Sequence, residues 1–295
     1  MATGITSLTG FSENPYLTVA EYKNAPTSID IDNLVVGGNA QAQDAELARV
    51  ILRASSFLNE YLNQDLTAQV RTETQRTRVT NQGYISLHPN YNPIISLNSF
   101  DYGTQPNALT PLSDPSQCWF ENQQVIIPLS NMATTYSSQG PLQFGGIGAY
   151  GQVFAKYTYV AGYVNTTIAT ATAAATSLTV AKGAGFLAGE TYYISDGASS
   201  ESITVASTYT YGSTTVPLTS ALAFTHASGV AIGNLPTAVK QACILVTTAF
   251  IKMRGDNSLT MAITTQAAGN ISGDQRFGSD IRTALDMVSL YRRIR

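Results

Sequence analysis

The feature that most constrains the fold is the period of the hydrophobic residues, which changes twice along the chain. Between about Gln43 and Leu62, apolar residues recur at the three- and four-residue spacing of one helix face. From Thr67 to Gly162 the period becomes two, which is typical of strands buried on one side. After residue 235 the helical spacing returns. This pattern predicts a mixed α+β fold.

The predicted helices have recognisable ends. The first has Asp44 and Glu46 in its first turn, where carboxylates interact favourably with the helix dipole. The second is predicted to begin at Pro236, because proline is favoured at the first helical position, and to end at Gly255. The last helix is predicted to begin at Ser279 and to carry arginines near its C-terminal end.

Residues 164–235 differ from the rest of the chain in composition and pattern. They are nearly uncharged and combine short strand-like runs with turns of small residues. They predict a compact, inserted all-β module of five or six strands, a small barrel or sandwich. The predicted domain organisation is therefore an N-terminal arm at 1–40, a core made of 41–163 and 236–295, and the insert. We expect this core to be a helical bundle that carries a small antiparallel β-sheet.

The composition favours a protein that packs against other proteins. Charged residues make up only 12% of the chain, about half the usual proportion, and neutral polar residues replace them. Neutral polar groups lose less on desolvation than charged groups, so such a surface suits an assembly subunit, although some soluble proteins are simply rich in Thr and Ser. The net charge of −3 argues against a general affinity for nucleic acid.

The cysteine pattern indicates a reducing compartment, and the hydropathy argues against a secretory signal and a membrane span. Cys118 and Cys243 fit neither a disulfide framework nor a metal-ligand spacing, so both are predicted to be core thiols. The N-terminal sequence has no basic region followed by an apolar run, so we expect no secretory signal. No stretch approaches the roughly 20 apolar residues of a membrane span, so we expect no membrane partner.

The motifs that could carry catalysis are weak. Gly146, Gly148 and Gly151 match a GxGxxG pattern, but a strand-like run follows them where a phosphate-binding loop needs a helix. Only two histidines occur, His88 and His226, which leaves little room for a triad or a zinc site. Both are predicted to be structural. We therefore expect no enzymatic activity, no cofactor and no metal.

The order of four segments is more informative than any single motif. These are AELARVILRASSFLNEYL, GYISLHPNYNPIISLNSFDYG, QVFAKYTYVAGY and LPTAVKQACILVTTAFI. Together they resemble the head–tail connector (adaptor) proteins of tailed phages. The matching residues are Pro93, Ile94, Ile95, Tyr159, Ala161, Gly162, Tyr163, Pro236, Val239, Lys240 and Ala242. The resemblance covers about residues 41–163 and 236–295; in the family the YxAGY strand leads almost directly into the Pro-initiated helix, whereas here the insert separates them.

The resemblance implies a structural virion protein located in the head–tail neck and assembled in the host cytoplasm. Its homo-oligomeric ring, of about twelve copies, would bind the portal protein on one face and a stopper or tail-completion protein on the other. Genomic DNA would pass through its channel without sequence-specific binding. The candidate portal-docking residues are the arginines of the C-terminal segment, Arg282, Arg292, Arg293 and Arg295.

Three alternatives stay open at the level of sequence. Another neck, tail-completion or decoration protein would fit the low charge and the β insert equally well. A carbohydrate-binding protein is suggested by the 16 tyrosines and the β module. An enzyme that relies on carboxylates alone is the third alternative, since pairs of Asp and Glu perform acid–base chemistry without histidine.

Overall fold

A computed structural model of the chain describes residues 14–27, 29–32, 34–80, 84–112, 118–121, 123–128, 143–144, 147–148, 152–253 and 279–293. The chain divides into two compact units, one made of residues 1–67 and 164–295 and the other of residues 68–163. The predicted organisation into arm, core and insert follows other boundaries and stays a prediction. The mixed α+β class is confirmed by four α-helices and several small antiparallel sheets.

The four helices in the described part of the chain belong to the first unit. They are α1 (Val19–Asn24), α2 (Ala40–Leu62), α3 (Thr237–Met253) and α4 (Ser279–Val288). Helix α2 contacts α3, and α3 contacts α4, so the apolar stripes predicted from the sequence bury one another. None of the helices in the described part of the chain is long and apolar enough to cross a membrane.

Helix α2 begins three residues earlier than the apolar spacing predicts. The side chain of Asn39 accepts a hydrogen bond from the backbone N–H of Ala42 over 2.9 Å and caps the first turn. The helix ends at Leu62 and is capped by Asn63, whose φ of +57° lies in the left-handed region that asparagine tolerates better than most residues. Polar caps, which the hydrophobic pattern does not detect, therefore set both ends of α2.

The described part of the N-terminal segment is docked against the helices of its own chain. The Tyr16 and Tyr22 side chains are fully buried. The hydroxyl of Tyr22 lies 2.9 Å from that of Thr248 on α3, and the backbone N–H of Tyr16 donates to the Ser55 hydroxyl on α2 over 2.9 Å. Since a buried tyrosine contributes a large apolar area, these two residues hold residues 14–24 in place.

The described residues of the second unit form nine strands. They are β1 (Gln69–Arg78), β2 (Tyr84–Leu87), β3 (Ile94–Gln105), β4 (Ala108–Pro111), β5 (Trp119–Glu121), β6 (Gln124–Pro128), β7 (Gln143–Phe144), β8 (Ile147–Gly148) and β9 (Gln152–Ala161). They form a four-stranded sheet in the order β1-β9-β3-β4, a three-stranded sheet in the order β2-β6-β5, and the pair β7-β8. The strand segments predicted between Thr67 and Gly162 are confirmed.

Strand β9 is central in the four-stranded sheet and has one buried and one outer face. Val153, Ala155, Tyr157 and Tyr159 alternate along its buried face and share a core with the three-stranded sheet. The residues between them point to the other face. This outer face carries most of the charge of β1 and β9.

The inserted segment forms six strands, within the predicted number. They are β10 (Asn165–Thr167), β11 (Ser177–Thr179), β12 (Thr191–Ser195), β13 (Glu201–Thr204), β14 (Thr215–Pro217) and β15 (Ala231–Gly233). Four pair in the order β10-β15-β12-β13, and β11 pairs with β14. Residues 164–232 have their own hydrophobic cluster, which includes Phe186 and Tyr192. At Gly233 a Cβ atom would lie 2.0 Å from the carbonyl oxygen of Val164, so only glycine fits there.

Candidate functional site

The arginines predicted to dock on the portal lie in two different settings. Arg282 is exposed on α4, and Arg295 lies outside the described residues. The guanidinium of Arg292 lies 5.0 Å from the ring centroid of Tyr61 on α2, within the range of a cation–π interaction. The backbone N–H of Arg293 donates to the carbonyl oxygen of Leu62 over 2.9 Å.

The C-terminal segment is therefore held against the C-terminal end of α2. The side-chain amide of Gln64 also donates to the carbonyl oxygen of Tyr291 over 2.6 Å. Positive charge at this position complements the negative end of the α2 dipole, so part of the basic charge has an intramolecular role. Next to it, Leu290 is 93% exposed and Met287 is 37% exposed, which leaves apolar surface beside the arginines.

A second cluster, which the sequence analysis did not find, lies in the β module. His226 is completely buried, and its Nδ1 and Nε2 atoms each lie 2.9 Å from a carboxylate oxygen, the first of Asp196 and the second of Glu201. Asp196 directly follows strand β12 and Glu201 begins β13, and the short turn Gly197–Ser199 lies between them.

Glu201 is the most heavily bonded member of this cluster. Its two carboxylate oxygens accept the backbone N–H groups of Ala223, over 2.9 Å, and of Phe224, over 3.1 Å. Burial of the carboxyl opposes ionisation, but the Ala223 amide, His226 and the Phe224 amide outweigh it and lower the pKa of Glu201 below its ordinary value. The cluster thus fastens the segment that contains His226 to the β12–β13 hairpin.

The geometry of the histidine cluster indicates a structural role. A distance of 2.9 Å between nitrogen and oxygen is that of a direct hydrogen bond, which leaves no space for a metal ion between the two atoms. Among the residues that the structure describes, no group of His, Cys, Asp and Glu could hold a metal ion. His88, by contrast, is exposed after β2, where the Gln75 side chain hydrogen-bonds its backbone.

A third cluster is centred on Glu73 of β1. Its carboxylate accepts the hydroxyl of Tyr157 over 3.0 Å and the hydroxyl of Tyr159, and it also accepts the side-chain amide of Asn90 over 2.8 Å. Burial first, and then the neighbouring Glu73, raise the pKa values of both tyrosines far above the ordinary range. These phenols stay protonated and act as donors, so the cluster fixes the 88–92 loop rather than performing acid–base chemistry.

The two cysteines and the glycines of the GxGxxG pattern do not form a reactive site in the described part of the chain. Cys243 is fully buried, which raises the pKa of its thiol to about 11, whereas Cys118 is only half-buried, so its prediction as a core thiol is only partly right. Gly146 and Gly151 lie outside the described residues; Gly148 ends β8. One open pocket of about 170 Å³ lies beside Asn14 and Lys182 and contains no cluster of titratable groups.

Some aromatic side chains are also exposed. On β5, Trp119 is 40% exposed and Phe120 is 43% exposed, and the Trp119 ring meets that of Tyr84 edge to face at 5.4 Å between centroids.

Comparison with protein-family models, with curated proteins and with solved structures finds no match to this chain.

Proposed function

We propose that the protein is a structural subunit of a tailed-phage particle, a head–tail connector that forms a ring between the portal and the tail or stopper protein. The observation that carries the proposal is the direct pairing of two of the segments on which the family resemblance rests. The strand that ends in Tyr159-Val160-Ala161-Gly162-Tyr163 pairs with the strand that begins at Ile94, after Pro93.

The Ala, Gly and Tyr residues of the YxAGY motif each have a defined position at this pairing. Ala161 lies opposite Ile94 in the register of β9 and β3. The backbone N–H of Gly162 donates to the carbonyl oxygen of Pro93 over 2.8 Å, and its φ of +113° is strained for residues other than glycine. Tyr163 then accepts the backbone N–H of Ala68 over 2.7 Å, so the Gly-Tyr turn closes the end of the sheet.

The residues of the Pro-initiated helix motif also make defined contacts in the structure. Val239 and Ala242 are fully buried on α3, and Lys240 forms an ion pair of 2.6 Å with Glu21 of α1. These contacts support a helical bundle formed by α2, α3 and α4, the arrangement that the resemblance implies. Within the same proposal, the β module is a small barrel or sandwich that decorates the connector.

The exposed apolar side chains support assembly. Val36 precedes α2 and is 99% exposed, and Leu290 follows α4 and is 93% exposed. In a chain with few surface charges, fully exposed Val and Leu are suited to burial against another protein. We assign Arg282, Arg292, Arg293 and Arg295 to the surface that docks on the portal, with Leu290 as its apolar part.

The test is the mass of the purified protein, measured by light scattering alone and after mixing with portal-bearing capsids. The proposal predicts a closed ring, either of the protein alone or as ring-shaped density at the portal vertex. A protein that stays monomeric over a wide concentration range and does not bind capsids would refute it.

The exposed aromatics on β5 favour one second candidate, carbohydrate binding. Trp119 and Phe120 provide partly exposed rings beside polar residues, which is the kind of surface on which sugar rings stack. A glycan array separates the two functions. Specific glycan binding that Trp119→Ala abolishes, by a protein that forms no ring, would favour this candidate over the connector.

A further inference from the structure

The outer face of the β1–β9 pair concentrates positive charge. In the antiparallel register, Thr74 lies opposite Lys156, Arg76 opposite Phe154, and Arg78 opposite Gln152, so these side chains share one face. Arg76, Arg78 and Lys156 are all exposed. We call this surface, made of the even-numbered residues of β1 and β9, the basic sheet face.

Five of the ten other cations in the described chain form an ion pair with a neighbouring carboxylate. Ion pairs join Lys23 to Asp44, Arg49 and Arg53 to Glu46, Lys240 to Glu21, and Lys252 to Asp280. On the basic sheet face, no cation forms an ion pair with a described residue, and the Arg76 guanidinium lies 4.8 Å from the ring centroid of Phe154. Asp101 of β3 lies opposite Lys156 in register and is the acidic residue of this face. Three cations against one carboxylate leave a net positive surface.

The basic sheet face also has an apolar end. Val70 lies at the start of β1 on the same face as Arg76 and is 57% exposed. The segment between Val70 and Arg76 is occupied by Thr72 and Thr74, both exposed. A partner that covers this face therefore has to offer carboxylates for one end and an apolar side chain for the other.

A segment of the same chain has this chemistry. Residues 29–32 and 34–36 precede α2 and contain Asp30 and Asp32, both exposed, with Val36 at 99% exposure and no cation. The Gln43 side chain of α2 bonds both the N–H and the C=O of Val35, over 2.7 and 2.8 Å, so the segment is anchored and ordered. We call it the acidic loop.

We propose that the acidic loop of one copy docks on the basic sheet face of the next copy, so that Asp30 and Asp32 meet Arg76, Arg78 and Lys156. The contact joins two unlike surfaces, which is the head-to-tail type of interface from which closed rings are built. The inference rests on the proposed ring function and identifies its subunit contact. A nucleic acid is a poorer occupant, because phosphates would leave Val36 and Val70 exposed and the net charge of the protein is −3.

The test is a pair of charge reversals followed by light scattering. In one variant Arg76, Arg78 and Lys156 are changed to Glu, and in the other Asp30 and Asp32 are changed to Lys. Each variant alone juxtaposes like charges, so we expect subunit association to weaken by more than about a hundredfold and each to remain a monomer. Mixed in equal amounts they should assemble again, because each reversed surface then meets its opposite charge. The recovery also shows that both variants are folded.

The controls separate this inference from the proposed function. The matched control is Lys182→Glu, a charge reversal at an exposed lysine of the β module, which should leave the ring intact. If the wild-type protein forms rings and either reversed variant still does, the assigned contact is wrong and the ring function stands. If the wild-type protein never forms a ring, the function itself fails. Loss of duplex-DNA binding by the Arg76, Arg78 and Lys156 variant, with its ring size unchanged, would overturn the inference in favour of a nucleic-acid surface.

Discussion

The Nε2 atom of His226 lies 2.9 Å from the Oε1 atom of Glu201, across a turn of the β module in which the histidine is fully buried. The second ring nitrogen lies 2.9 Å from the Oδ2 atom of Asp196. A buried polar side chain with both ring nitrogens bonded links the segment that contains His226 to the β12–β13 hairpin. This cluster therefore stabilises the packing of that segment on the hairpin.

Replacement of His226 by Ala should destabilise the β module. It removes two hydrogen bonds to carboxylates and leaves Glu201 partly buried without one of its donors, which typically costs about 2–4 kcal/mol. The measurement is urea-induced unfolding followed by circular dichroism. The control is His88→Ala, since the His88 side chain is exposed and only its backbone is bonded. Equal stability of the two variants would show that the cluster contributes nothing.

Acid should weaken the same module. The pKa of Glu201 is lowered in the folded protein, so its ionised form stabilises the fold fully above the ordinary carboxyl pKa of about 4.3. That contribution is lost as the pH falls through the lower, folded-state value, where the unfolded chain takes up the proton more readily. Unfolding measured between neutral pH and pH 3 should show a decline in stability that is smaller in Glu201→Gln. An unchanged slope in this variant would contradict the assignment.

The Glu73 cluster gives a prediction for the second unit. Glu73→Ala leaves the buried hydroxyls of Tyr157 and Tyr159 without their acceptor and should cost about 2–3 kcal/mol in the free energy of unfolding. The matched control is Thr74→Ala, the next residue of β1, which points to the exposed face. If both substitutions have the same small effect in chemical unfolding, the hydroxyl–carboxylate bonds are not important for stability.

Periodicity was sufficient to predict most of the regular structure. The stripe from Leu47 to Leu62 gives α2, and alternation along the segment that ends in Gly162 gives β9, because burial on one side imposes these periods on any chain. What periodicity does not contain is the capping chemistry. Asn39 begins α2 before its first apolar residue, so the predicted start is late.

The side-chain clusters could not be predicted for a different reason. His226 and Asp196 are 30 residues apart, and Glu73 and Tyr159 are 86 residues apart. Their meeting depends on which strands pair, and the order β1-β9-β3-β4 places the last strand of the unit beside the first. Because His226 lies in no local motif, the sequence predicts a structural role for it but not its two carboxylate partners. The burial of Tyr16 in the N-terminal segment was missed because it too depends on a distant partner, Asn59.

The C-terminal arginines have two different roles: Arg292 makes a contact within the chain, whereas Arg282 is assigned to portal docking. Arg292 stacks on Tyr61, so Arg292→Ala should lower the free energy of unfolding by about 0.5–1 kcal/mol. Arg282 is exposed on α4, so Arg282→Glu should leave the melting temperature unchanged but weaken binding to portal-bearing capsids. Sedimentation with capsids at low and high salt measures the second effect, because a contact between exposed charges weakens as salt screens it. If Arg282→Glu sediments with capsids like the wild-type protein, Arg282 is not a portal-docking residue.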